Sequence, residues 1–167
     1  MSKIVIVSDN HGDQEILKMI VERHQDEATA FIHCGDSEGN VEDPIWQSFT
    51  VVQGNMDFAD FPLAEVVSVP EGKIMVTHGH RFDIKRDLNV LASYSKEAGC
   101  EVACFGHSHV MTLEEVQGVL MINPGSIRLP RGQYPHPTYA MLDWEADGTK
   151  MVTYYHRDGS IVPDPFV

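Results

Sequence analysis

Lys3 to Ser8 (KIVIVS) is apolar and largely β-branched, with no alternation that would give it a wet face. Such a run predicts a strand covered on both sides. A polar turn, Asp9-Asn10-His11-Gly12-Asp13, follows it. Beyond the turn Ile16, Leu17, Ile20, Val21 and His24 recur at helical spacing, and Asp13 stands where it can cap the first free N–H groups. Strand, polar loop and helix make the first half of a βαβ unit.

The same rhythm returns along the chain. Thr29 to Cys34 predicts a strand that ends in Gly35-Asp36, and Phe49 to Val52 a short one that ends in Gly54-Asn55-Met56-Asp57. Glu65–Val69 and Lys73–Thr77 flank the turn sequence PEGK, which predicts a hairpin whose second strand runs into His78-Gly79-His80. Arg86 to Ala98 carries Leu88, Leu91 and Tyr94 near helical spacing, with Gly99 as a C-terminal stop. Glu101 to Phe105 is another buried strand, running into Gly106-His107-Ser108-His109. The remainder is β-rich: Met111–Val116 and Val119–Ile122 meet at Gly118, and Tyr139–Trp144 and Met151–Tyr155 meet at Gly148. The expectation is an α/β fold, a two-sheet mixed β-sandwich flanked by helices.

Length and composition narrow the picture. The 167 residues, 43% hydrophobic and 22% charged, suit one domain over 1–167, with no repeat or linker to divide it. With 25 acidic against 12 basic residues the surface field opposes stable binding to nucleic acid or anionic membrane, because affinity for a phosphate backbone comes mainly from Lys and Arg. Cys34, Cys100 and Cys104 are odd in number and match neither a disulfide framework nor a thiolate zinc site, so they read as core residues in a reducing compartment. The N-terminus lacks a signal-peptide pattern, and no run approaches the roughly 20 apolar residues of a membrane span. A cytoplasmic location is expected, and a homo-oligomer is compatible with all of this.

Metal-capable residues fall in one kind of place. Asp9 and His11, Asp36, Asn55, His78, and His107 with His109 each follow a predicted strand, and ligands gather at the carboxyl ends of strands in layered α/β folds. Singly, each is an ordinary turn or hydrogen-bonded residue. Together they offer four imidazoles, two carboxylates and one amide oxygen, and glycine accompanies four of the five groups. Such donors suit Mn²⁺, Fe, Zn²⁺ or Ni²⁺ without any thiolate. Shared between two ions about 3.5–4 Å apart, they leave room for water and a phosphoryl group.

The set Asp9-x-His11, Gly35-Asp36, Gly54-Asn55, His78 and Gly106-His107-Ser108-His109 resembles the calcineurin-like metallophosphoesterases, and among them the small bacterial and archaeal phosphodiesterases. Asn123-Pro124-Gly125-Ser126 and Pro130-Arg131-Gly132 also resemble that subgroup. The resemblance covers residues 3 to about 155. It implies a dinuclear phosphoesterase, most of all a phosphodiesterase, in which a metal-bridging hydroxide attacks phosphorus in line. One ion, Mn²⁺ first among the candidates, would take Asp9, His11 and His109. The other would take Asn55, His78 and His107, with Asp36 between the two.

Many relatives carry a His directly after the Asn ligand, then an acidic residue, as candidate proton donor; here Met56 and Asp57 stand there. Asn55, His78 and His80 are the candidate catalytic residues, His80 as a substitute donor, and Arg128 and Arg131 the candidate contacts to a substrate phosphate. The alternative is a protein-interaction scaffold of the same fold, the use made of it in the retromer coat. A metal-dependent amidohydrolase also uses a His-x-His pair, but needs a barrel of about 250 residues.

Overall fold

The computed structural model describes residues 1–166. Its elements run β1 (Ser2–Val7), α1 (Gln14–His24), β2 (Ala30–His33), a 3-10 turn (Pro44–Gln47), β3 (Phe49–Val51), β4 (Ala64–Val69), β5 (Gly72–Thr77) and α2 (Asn89–Glu97). Then come β6 (Val102–Cys104), β7 (Thr112–Val116), β8 (Val119–Asn123), β9 (Thr138–Trp144) and β10 (Lys150–His156). They form two five-stranded sheets, ordered β10-β9-β1-β2-β3 and β4-β5-β6-β8-β7.

Successive side chains of a strand point to opposite faces, and here both faces are covered. Ile4 and Ile6 of β1 face the second sheet, where they meet Ile74, Val76, Val102, Cys104 and Ile122 in the central core. Val5 and Val7, one residue out of phase, face outward under α1, packed with Ile16, Leu17 and Ile20. The second sheet mirrors this: Met75, Ala103 and Met121 turn outward beneath Leu91 and Ala92 of α2. The result is a helix–sheet–sheet–helix stack, the expected two-sheet sandwich. The three cysteines are buried free thiols.

Pairing follows the turn chemistry. β1 runs parallel to β2, and β2 to β3; in the other sheet β5, β6 and β8 are parallel. Parallel strands bring their carboxyl ends to one rim. The expected hairpins β4–β5, β7–β8 and β9–β10 are antiparallel. Asp13 caps α1, its carboxylate accepting from the Ile16 N–H at 3.4 Å.

The second helix begins three residues later than its apolar spacing predicts. Asp83 adopts a left-handed backbone (φ 53°), and the Asp87 carboxylate takes the Asn89 N–H at 2.9 Å, so the segment before residue 89 stays in turns. Ile84 and Leu88 are buried all the same, while Tyr94 lies on the outside against Phe82. Gly99, at φ 77°, ends the helix as expected. Among the described residues no helix is long and apolar enough to cross a membrane.

Candidate metal centre

All seven sequence-predicted ligands lie at the rim formed by the ends of β1, β2, β3, β5 and β6. The first sheet brings Asp9, His11, Asp36 and Asn55; the second brings His78, His107 and His109. Parallel loop-to-loop bonds hold the first group in register. Asp9 N–H donates to Gly35 O at 3.0 Å, His11 N–H to Asp36 O at 3.0 Å, and Gly12 N–H to Ser37 O at 2.7 Å. Across the second sheet Gly106 N–H donates to His78 O at 3.0 Å.

Five of these residues sit in the left-handed region: Asp9 (φ 58°), His11 (40°), Asp36 (58°), His107 (68°) and His109 (62°). Non-glycine residues seldom do so, and strain of this kind gathers at functional sites. It turns each side chain back over the sheet edge. The neighbouring glycines make room for it. A Cβ on Gly35 would stand 2.8 Å from His78 Nδ1, and one on Gly106 would stand 2.6 Å from Asp9 Oδ2.

Two groups of donor atoms converge, Asp9 with His11 and His109, and Asp9 with Asp36 and His78. Asp9 Oδ2 is engaged by Ser8 Oγ at 2.6 Å and His107 N at 3.2 Å. Asp9 Oδ1 is buried and has no hydrogen-bond partner. Around it stand His109 Nε2 at 3.3 Å and the Nε2 atoms of His11 and His78 at 3.8 Å. A buried, unpartnered carboxylate oxygen among imidazole nitrogens is costly unless a cation joins them. The residues fit divalent metal.

The imidazoles are aimed by their other nitrogens. His78 Nδ1–H donates to Cys34 O and His109 Nδ1–H to Leu129 O, both at 2.7 Å, leaving each Nε2 lone pair free for a metal. His11 Nε2 and His109 Nε2 lie 3.2 Å apart, as two ligands of one ion would. Asn55 Oδ1 lies 3.0 Å and Asp36 Oδ2 3.2 Å from His78 Nε2. The resemblance places Asp36 between the ions; the oxygen common to both groups of donors is Asp9 Oδ1.

Burial and neighbouring charge shift the ionisation of several of these groups. Burial pushes the His78 pKa down, yet hydrogen bonding and charge from Asp36, with the Asp9 charge, raise it overall. Burial pushes Asp36 up, and the bonds from His78 and the Met56 N–H bring it below the usual carboxylate range. His107 is lowered to about 4 by burial, with the charges of His78 and Lys85 adding to it.

A cavity of about 540 Å³ opens above the ligands, lined by His11, Asp36, Asn55, His107 and His109. Arg128 and Arg131, the candidate phosphate contacts, stand on its wall, and the Arg128 guanidinium is bonded to His11 O. Met56 lines the cavity too and is 49% exposed. His80 does not line it: the ring lies beside His78, centroids 5.4 Å apart, with Nδ1 buried and unpartnered. Burial and the His78 charge lower the His80 pKa.

Several supporting residues carry no motif of their own. Asp57 accepts from Asp36 N at 2.9 Å, Gly54 N at 2.7 Å and Glu38 N at 2.8 Å, clamping two ligand loops. His33 bridges Asn10 Oδ1 and Gly35 N at 2.7 and 3.0 Å. Asn123 Nδ2 donates to Gly106 O and Ser108 Oγ, both at 3.0 Å, and Ser126 Oγ donates to Asp9 O at 2.8 Å. The Asn-Pro-Gly-Ser signal was visible, though its role was not. Lys85 and Glu38 on the cavity wall were missed, since neither stands at a strand end.

The family model described as the calcineurin-like phosphoesterase superfamily domain matches residues 2–147. The chain belongs to that family. It is 43% identical over 162 residues to the probable metallophosphoesterase YsnB of Bacillus subtilis, covering 96% of this chain and 95% of the relative. A predicted phosphoesterase from Streptococcus pneumoniae superposes with a TM-score of 0.91 at 34% identity, covering 97% of this chain and 93% of the other. A Methanocaldococcus jannaschii relative named a phosphodiesterase is 29% identical over 143 residues, 74% of this chain and 82% of its own. The expected family and fold both hold.

Proposed function

We propose that this phosphoesterase-family chain is a dinuclear metal-dependent phosphodiesterase. The observation that carries the reading is Asp9 Oδ1, buried and unpartnered at the meeting of two donor groups. Asp9, His11 and His109 would hold one ion and Asn55, His78 and His107 the other, with Asp36, and by its position Asp9, between them. Mn²⁺ is the first candidate among borderline cations for this N/O donor set. When bound, two such ions make a nucleophile from water at neutral pH and offset charge on the phosphoryl oxygens during in-line displacement.

The protein's own residues hold the ester. Arg128 and Arg131, planar and always charged, suit two phosphate oxygens at once. Lys85 places a further positive charge on the same wall. Asn55 lines the cavity that would take the phosphate, while Cys34 O keeps the buried His78 ring in one orientation. His80 stands behind His78, where it supports the site better than it would protonate a leaving group. Preference for diesters is supported by the relative that carries the phosphodiesterase name.

The test is metal analysis together with a substrate screen. Protein loaded with Mn²⁺ and desalted should carry two ions per chain and cleave diesters faster than monoesters. Asp36→Asn should lose metal more readily than Asn55→Ala, because it removes negative charge beside both ions. One ion or none at saturation would sink the dinuclear reading. A loaded protein that cleaves neither ester class would leave the interaction scaffold.

A further inference from the structure

A second cavity of about 480 Å³ adjoins the first, walled by Val110, Met111, Arg131, Tyr134, Pro165 and Phe166. We propose that it is a subsite for an aromatic, nucleoside-sized ester group of the substrate, an inference that rests on the phosphodiesterase reading above. Arg131 lines both cavities, so it stands on the border between them. Its backbone N–H donates to His109 O at 2.9 Å, which ties that border to a ligand residue. A phosphate held at Arg131 would therefore direct one ester arm into the second cavity.

The cavity suits an aromatic arm. Its volume lies within the roughly 300–1,000 Å³ usual for small-molecule sites. The Tyr134 hydroxyl is hydrogen-bonded to His156 Nε2, and the Phe166 ring stands edge-on to Tyr154 with centroids 5.5 Å apart, so both aromatic walls are braced from behind. A Cβ on Gly132 would meet Val110 Cγ1 at 3.0 Å, so the loop passes close over that wall. Gln133 and Asp164 supply polar groups that can pair with the edge of a heterocycle. The Asp164 carboxylate also disfavours a second phosphate there, which leaves the organic arm as occupant.

The experiment compares two esters that share a leaving group: adenosine 5′-(p-nitrophenyl phosphate) and methyl p-nitrophenyl phosphate. With the Mn²⁺-loaded wild type, KM should be roughly tenfold lower for the nucleoside ester, the scale of one base stacked on an aromatic wall. Phe166→Ala and Tyr134→Ala should erase that advantage while leaving kcat/KM for the methyl ester unchanged. Phe166 is 53% exposed and stands outside every strand and helix, so its loss does not threaten the fold. Calorimetry with adenosine 5′-monophosphate against methyl phosphate, on the same proteins, should show the same gap without turnover. Equal KM values in the wild type, or an advantage that survives both variants, would overturn the subsite and leave the phosphodiesterase reading standing. If neither ester is cleaved, that reading fails on its own, and equal calorimetric affinities would then remove the subsite as well.

Discussion

Asp57 shows how much one side chain can hold without touching substrate. Both its oxygens are taken by backbone N–H groups, from Asp36 and Gly54 on one and Glu38 on the other. It is a clamp, not a free acid beside the leaving group. An Asn there has one accepting oxygen, so at least one buried N–H would face an amide N–H₂. Asp57→Asn should cost about 1–3 kcal/mol of stability and weaken Mn²⁺ binding in the same variant. Urea unfolding and a metal titration would check it; a variant unchanged in both would remove the clamp. Met56 lines the cavity beside Asn55, a candidate ligand, and its thioether has no proton to donate. A positioned acid typically contributes about 10²–10⁴-fold. Cleavage of substituted aryl diesters should therefore slow steeply as the leaving group becomes more basic, and Met56→His should flatten that slope. The measurement is kcat/KM across the series. A slope already flat in the wild type would mean that another group on the wall, Lys85 first, neutralises the departing oxygen.

At the scale of the element, β2 ends in a histidine that the structure keeps neutral. His33 Nε2–H donates to Asn10 Oδ1 and Nδ1 accepts from Gly35 N–H, so a second ring proton would face a donor. Complete burial pushes its pKa down to about 3, with the charge of His78 adding to that. Unfolded, the ring titrates near ~6.5. The unfolded chain then binds more protons in this window, so the contribution is whole above about pH 6.5 and is lost as pH falls toward 3. The stability gap between wild type and His33→Gln should shrink below pH 6.5, approaching about 1.4 kcal/mol per pH unit. Parallel urea titrations of the two proteins at pH 8 and 5.5 read that difference, in which the other histidines cancel. A gap constant with pH would show that His33 is not held neutral. Elements like β2 were legible in the sequence because burial on both faces writes an unbroken apolar run, and polar residues behind such runs marked the candidate ligands that meet at one rim. The start of α2 was not legible, because apolar spacing continues through Leu88 although Asp83 and Asp87 have already set turns. His33, Asp57 and Lys85 were not legible either. His33 reaches Asn10 and Asp57 reaches Asp36 and Glu38 in other loops, Lys85 joins the site only through the cavity wall, and no local period records a contact between residues 36 and 57.

Across the whole molecule, the candidate ligand set straddles the gap between the sheets. Asp9, His11, Asp36 and Asn55 follow strands of one sheet, and His78, His107 and His109 follow strands of the other. Besides the apolar core, divalent ions at this rim would join the sheets by coordination. They would also relieve the buried Asp9 Oδ1, which has no hydrogen-bond partner. Ions that bind the folded state and not the unfolded one stabilise it by mass action, about 2.7 kcal/mol at a concentration one hundred times Kd. For a domain of this size a change of that order corresponds to a shift in Tm of roughly 5–10 °C. Mn²⁺ should therefore raise Tm relative to protein treated with EDTA, and the rise should be saturable. The cross-sheet arrangement makes a sharper demand. Removing a ligand from either sheet, by His11→Ala or by His107→Ala, should cut the Mn²⁺-induced shift, although the two residues lie on different sheets and outside the apolar core. Thermal unfolding of the three proteins with and without Mn²⁺ decides it. If one variant keeps the full shift, the ions are held by a single sheet and the rim is not a clip between the two.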